Sequence, residues 1–169
     1  MLPAAVILAA ASGLVLSAEA PARKAGTYTD GLYGFSISAP EFPEAAKGGK
    51  VMSVAMLAPA ENGFSANLNV VIIPGKTSRK EVIDNNEGQI KAAGWKKNST
   101  KELTASGKDA VLFDYEGKMP GQSVEMHFLC LIVVDEDRQM VIACTALKSN
   151  FDKYEKTFRA CLDSFKLDK

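Results

Sequence analysis

The hydrophobic pattern of the chain is densest in its last third. Met126 to Leu147, MHFLCLIVVDEDRQMVIACTAL, reads as two apolar runs joined by a short charged turn. Phe128 to Val134 is continuously apolar rather than alternating, which predicts a strand covered on both faces and therefore helices on the sheet. Upstream, Phe35 and Ile37 alternate with serines before Pro40 and predict a first strand with one buried face. The EFPEAAKGGK stretch reads as a loop, Val51 to Leu57 as a second strand, and Asn62-Gly63 as a tight turn into a third. In that third strand Ala66, Leu68, Val70 and Ile72 face one way. Ser65, Asn67 and Asn69 face the other, on a half that is either solvated or lines a groove.

After Pro74-Gly75, the Ser78/Glu81 pair has capping-box spacing and opens a helix of about fifteen residues ending at Gly94. Val82, Ile83, Asn86, Ile90 and Ala93 form its inward stripe. Trp95 to Thr104 and Ala110 to Glu116 read as two further strands, with Trp95 buried at the helix exit. Beyond the central hairpin, Ser149 or Asn150 caps a last helix carrying Phe151, Tyr154, Phe158, Cys161, Leu162 and Phe165 at helical spacing. Three strands, a helix, four strands and a helix, with short connections, predict an α+β fold. Its centre is a largely antiparallel sheet of about seven strands flanked by helices, an α-β-α sandwich.

Composition changes this picture at the amino terminus. LPAAVILAAASGLVLSA is a run of small and aliphatic residues, so residues 1–20 are expected to form a cleaved export signal and 21–27 a polar linker. Residues 28–169 then make a single domain in the periplasm or outside the cell; an uncleaved segment tethering the chain to a membrane is the alternative. The charge balance, 20 basic against 20 acidic residues, provides no field to attract nucleic acid or an anionic membrane. No GxSxG, P-loop or paired CxxC motif is present, and a triad would have to use the only histidine, His127.

Two constellations carry candidate chemistry. If the 117–122 loop closes a hairpin, Asp114 and Glu116 share a face with Glu125 and His127, a set of ligands for a divalent cation or otherwise a polar patch. The three cysteines, Cys130, Cys144 and Cys161, are an odd number for an exported chain. With a three-residue Glu136-Asp137-Arg138 loop, Cys130 lies opposite Cys144 and a disulfide between them is feasible. A loop one residue shorter places Ala143 there, and three reduced core thiols are the other reading. Asn98-Ser99-Thr100 matches a glycosylation acceptor pattern, and Asp135-Glu136-Asp137 reads as a solvated acidic turn.

YGFSISAP, the SANLNVVIIPG strand with the helix after it, and the ending VIACTALKSNFDKYEKTFRACLDSFKL together resemble the PsbP-like superfamily. That group includes the PsbP, DcrB-type and Mog-type proteins, and the resemblance spans roughly residues 28–167. The resemblance implies an α-β-α sandwich and a non-catalytic accessory or assembly role exercised by binding a protein partner, with no cofactor. The lipobox cysteine of DcrB-type proteins is absent. The alternative function is a small-molecule or divalent-metal-binding module built on Asp114, Glu116, Glu125 and His127.

Overall fold

The computed structural model describes residues 26–42, 44–47, 52–118 and 123–168. The expected signal, most of the linker, and residues 119–122 of the 117–122 loop lie outside them. In chain order the elements are β1 (Gly26–Asp30), β2 (Phe35–Ala39), β3 (Glu44–Lys47), β4 (Met52–Leu57), β5 (Asn67–Pro74), α1 (Arg79–Ala92) and β6 (Lys96–Ala105). They continue with β7 (Lys108–Lys118), β8 (Glu125–Val134), β9 (Arg138–Leu147), a 3-10 turn (Lys148–Asn150), α2 (Phe151–Asp163) and β10 (Lys166–Leu167). Seven strands form one antiparallel sheet in the order β3-β4-β5-β9-β8-β7-β6, and β1-β2-β10 form a second, small one. No helix among the described residues is long and apolar enough to cross a membrane.

The long sheet is apolar on both faces because its central strands have no solvated side. Even-numbered positions of β5 and β9 (Leu68, Val70, Ile72, Met140, Ile142) and odd ones of β8 (Leu129, Leu131, Val133) pack with Phe151, Phe158 and Leu162 of α2 and with Phe35 and Ile37 of β2. The opposite face (Val71, Val111, Phe113, Phe128, Ile132, Val141) packs with Val82 and Ile90 of α1. The sandwich expected from the doubly apolar strand is therefore present, with the small sheet sharing the α2 layer.

The seven strands are not the expected seven. Residues 28–40, read as one strand, fold back on themselves as β1 and β2. Asp30 Oδ1 accepts hydrogen bonds from the backbone N–H groups of Leu32 (2.9 Å) and Tyr33 (3.0 Å), and Gly34 follows in the left-handed region at φ +65°. That local turn takes the stretch out of the long sheet. Its place is filled by β3, inside the segment read as a loop and paired to β4 with a register shift. The polar half of β5 is neither solvated nor a groove at Asn69, which is buried along with Thr145 on the neighbouring β9.

The capping box at Ser78 forms as read, and Val82, Asn86 and Ile90 face inward, but Ala93 is exposed just past the helix. Trp95 is buried where α1 ends, stacked on Tyr115 and Phe128 at centroid distances of 5.6 and 5.3 Å, and its Nε1 donates to the Lys118 carbonyl (2.7 Å). Asn150 holds the cap position of α2 without capping it; its amide donates to Glu61 Oε2 (3.2 Å).

The cysteine pairing is overturned by register. Val134 lies opposite Gln139, so the hairpin loop is only Glu136-Asp137, and Cys130 faces Ala143 while Cys144 faces Leu129. A one-residue slip turns a strand's side chains to the other face. Cys130 accordingly sits in the α1-side core and Cys144 in the α2-side core. All three cysteines are free and buried.

Candidate functional site

On the α2 face the apolar columns of β7 and β8 run out before the strands do. Ala110 and Leu112 give way to Asp114 and Glu116 on β7, and Leu129 gives way to His127 and Glu125 on β8. Glu116 lies opposite His127, so the hairpin assembles the four predicted residues on one face. Side-chain alternation alone fixes this, since residues two apart on a strand share a face.

The geometry within the patch is that of an ion-pair network. His127 Nε2 is 2.7 Å from Asp114 Oδ1, its Nδ1 is 3.9 Å from Glu116 Oε1, and its ring stacks on Phe151 at 3.6 Å between centroids. Lys148, in the turn before α2, reaches Glu116 Oε2 (2.7 Å) and Glu125 Oε2 (3.3 Å). Arg159 of α2 reaches Asp114 Oδ2 (3.4 Å) and Glu155 (2.8 Å). Asn98 falls where the β6–β7 register shifts, and its amide nitrogen donates to Asp114 Oδ1 (2.9 Å) and Glu116 Oε1 (3.1 Å). A bulge of this kind re-aims one side chain out of the strand's alternation.

These contacts set the protonation states. Burial pushes the Asp114 carboxyl up, and hydrogen bonds from His127 and Asn98 with the charges of His127 and Arg159 outweigh it, leaving it below the usual carboxylate range. Lys148 and Asn98 hold Glu116 low in the same sense. The positive charge beside Glu116 and Asp114 comes from Lys148 and Arg159. Among the described residues, no group of three or more His, Cys, Asp or Glu is placed to hold a metal. The thiols provide no nucleophile, because burial raises Cys130 to about 12 and Cys161 to about 11.

Lys148, Arg159 and Asn98 are the members that sequence reasoning missed. Lys148 had a signal: it follows Leu147, the partner of Met126, and so lies beside Glu125 once the hairpin register is known. Arg159 is adjacent to Phe158 at the rim of the α2 stripe, which apolar periodicity marks only as solvent-facing. The bulge that aims Asn98 has no sequence signature in KKNST.

No family model and no curated protein sequence matches this chain. Solved structures do. Cyanobacterial PsbP (CyanoP) from Synechocystis superposes with a TM-score of 0.65 at 16% identity, covering 91% of this chain and 98% of that one. LpqN of Mycobacterium tuberculosis, described as involved in cell envelope biogenesis, gives 0.66 at 11% identity, covering 86% and 91%. A protein of unknown function from Pseudomonas aeruginosa, PA94, gives 0.60 at 12% identity, covering 84% and 96%. The chain has the PsbP-like fold that YGFSISAP and the C-terminal segment suggested.

Proposed function

With a PsbP-like fold in hand, we propose that this is an exported, non-catalytic accessory protein that acts by binding a protein partner. The observation that carries the reading is the engagement of the only histidine. His127 holds Asp114 through one nitrogen, has Glu116 Oε1 3.9 Å from the other, and lies with its ring against Phe151. A general base acts on a nucleophile within hydrogen-bond reach, and among the described residues carboxylates stand at both nitrogens while no hydroxyl or thiol hydrogen-bonds the ring. The apolar amino-terminal segment supports export, and the envelope description of LpqN is consistent with it.

Affinity capture from envelope extract with the tagged protein tests the reading, alongside amino-terminal sequencing of the exported product. A stable partner and a mature end between Ser17 and Ala22 are expected. A hydrolytic activity abolished by His127→Ala would overturn the non-catalytic assignment, and an intact Met1 in the membrane fraction would overturn the cleaved-signal assignment.

A further inference from the structure

The small sheet ends on β1, whose outer side meets no strand among the described residues. The Ser38 N–H donates to Ser164 Oγ (2.8 Å) and Ser36 pairs with Lys166, so positions 36 and 38 of β2 turn their backbone groups toward α2 and β10. Opposite them on β1 stand Thr29 and Thr27. Residues opposed in an antiparallel pair alternate between exchanging both hydrogen bonds and turning their groups away from each other. The N–H and C=O groups of Thr27 and Thr29 therefore point out of the sheet, and both residues are exposed. The other strand edges among the described residues are guarded. β6 carries Lys96, Lys97 and Lys101 with a register shift at Asn98, β3 has four residues and a register shift against β4, and β10 has only two residues. Lysines, bulges and very short strands are the means by which sheet edges avoid pairing. β1, GTYTD, has neither lysine nor bulge: its five residues pair with β2 without a break, and the Asp30 carboxylate is committed to the turn that follows.

We propose that β1 is a self-association edge, joining two copies of this chain by antiparallel pairing of β1 with β1 about a twofold axis at Tyr28. The free backbone groups fix the register. Centred on Tyr28, the pairing sets Thr27 of one copy against Thr29 of the other, twice, and all the outward N–H and C=O groups of both strands enter four hydrogen bonds. Centred on Thr27 or Thr29 instead, it leaves the other threonine opposite a residue outside β1. The Tyr28 register also opposes uncharged β-branched side chains, a favourable cross-strand pair, and sets no like charges against each other, since Asp30 meets Gly26. The two small sheets become one of six strands, β10-β2-β1-β1-β2-β10, and the isologous contact closes at two copies. Leu32, 79% exposed, stands on the turn beside the paired strand ends. An interface of this size is small, so the dimer is a weak one, with a dissociation constant on the order of 10–100 µM. Self-association goes beyond the partner-binding reading and stands or falls independently of it.

The test is sedimentation velocity of the exported protein from about 1 to about 300 µM, with amide hydrogen exchange measured at the two extremes. A monomer–dimer equilibrium is expected, with the Thr27 and Thr29 amides exchanging about three- to eightfold more slowly at the high concentration and the β6 amides unchanged. Thr27→Pro deletes an N–H that β2 does not use, and each dimer loses two of its four bonds. It should weaken dimerisation about tenfold while leaving the far-UV circular dichroism as it is. Thr27→Val keeps the N–H and should change dimerisation by less than about twofold. If Thr27→Pro does not fold, the concentration dependence of the wild-type amides decides. A monomer throughout the range, a dimer as tight in Thr27→Pro as in the wild type, or Thr27 and Thr29 exchange independent of concentration would overturn the proposal. So would protection of these two amides in a complex captured from envelope extract but not in the concentrated pure protein, which would give the edge to another protein's strand.

Discussion

At the scale of single residues the tightest constraint is Gly117, beneath the indole of Trp95. A Cβ added there would stand 1.9 Å from Trp95 Cδ1, closer than any real contact, and Trp95 is already fixed by Tyr115, Phe128 and the Lys118 carbonyl. Gly117→Ala should lower stability by about 2 kcal/mol, read as a reduced urea midpoint with a changed Trp95 emission spectrum. The burial of Trp95 was legible from its place after Gly94, but the glycine's role was not, because it depends on a contact across strands. The cysteines teach the same lesson. Their burial followed from residue type, while their pairing hung on whether Arg138 belonged to the turn or the strand. Asp135 N–H donates to the Arg138 carbonyl (2.9 Å), closing a two-residue turn. Three alkylatable thiols per denatured, unreduced chain are expected; mapping a Cys130–Cys144 cystine peptide would contradict the register.

At the scale of elements, the two helices start differently although both were read from cap residues. Ser78 and Glu81 form a reciprocal box, with the Ser78 N–H donating to Glu81 Oε2 (2.8 Å) and the Glu81 N–H donating to Ser78 Oγ (3.3 Å). Ser78→Ala should cost about 1 kcal/mol of stability. Asn150 makes no such bond, so Asn150→Ala should cost clearly less, and thermal melts of the two variants side by side check the ranking. Helix periodicity and capping chemistry are local, which is why both helices were readable. The hairpin of β1 and β2 was not, because alternation in Phe35 and Ile37 is the same whether the strand joins the long sheet or a separate small one. Only the Asp30 carboxylate, taking the turn's N–H groups and the hydroxyls of Ser53 and Tyr28, settles the matter, and side-chain hydrogen bonding at that range is invisible to period counting.

At the scale of the whole molecule, hydrogen-bonded and ion-paired carboxylates make acid the solvent condition that weakens the fold. Asp114, Glu116, Asp30 and Asp135 all have carboxyls held below their ordinary values in the folded protein. A depressed folded value means that the unfolded chain binds more protons as pH falls. The stabilisation is therefore full above the unfolded carboxylate range, about pH 4, and is lost as pH drops through the lower folded values. Denaturant midpoints should be flat from pH 7 to about 5 and fall steeply below about 4. Asp114→Asn should flatten part of that acid limb. The face carrying Asp114 and Glu116 was predictable from alternation, whereas the cations paired with them, Arg159 and Lys148, come from α2 and from the turn after β9, elements placed by tertiary packing.

The small sheet is closed by residues from both ends of the domain. Lys166 and Leu167 pair with Ser36 and Phe35, the Asp168 N–H donates to the Gly34 carbonyl (2.8 Å), and the Leu167 N–H donates to Ser106 Oγ (2.9 Å). For the order of folding, this is a matter of timing. The β6-β7-β8-β9 meander can form from neighbouring segments, but β2 waits for residues 166–167 before it gains its second partner, and such non-local closure is slow. The small sheet thus completes its pairing only after the segments that form the meander are already available. Removing residues 166–169 should leave the meander protected from hydrogen exchange while β1 and β2 exchange early; uniform loss of protection would show that closure of the small sheet and the folding of the meander are one event.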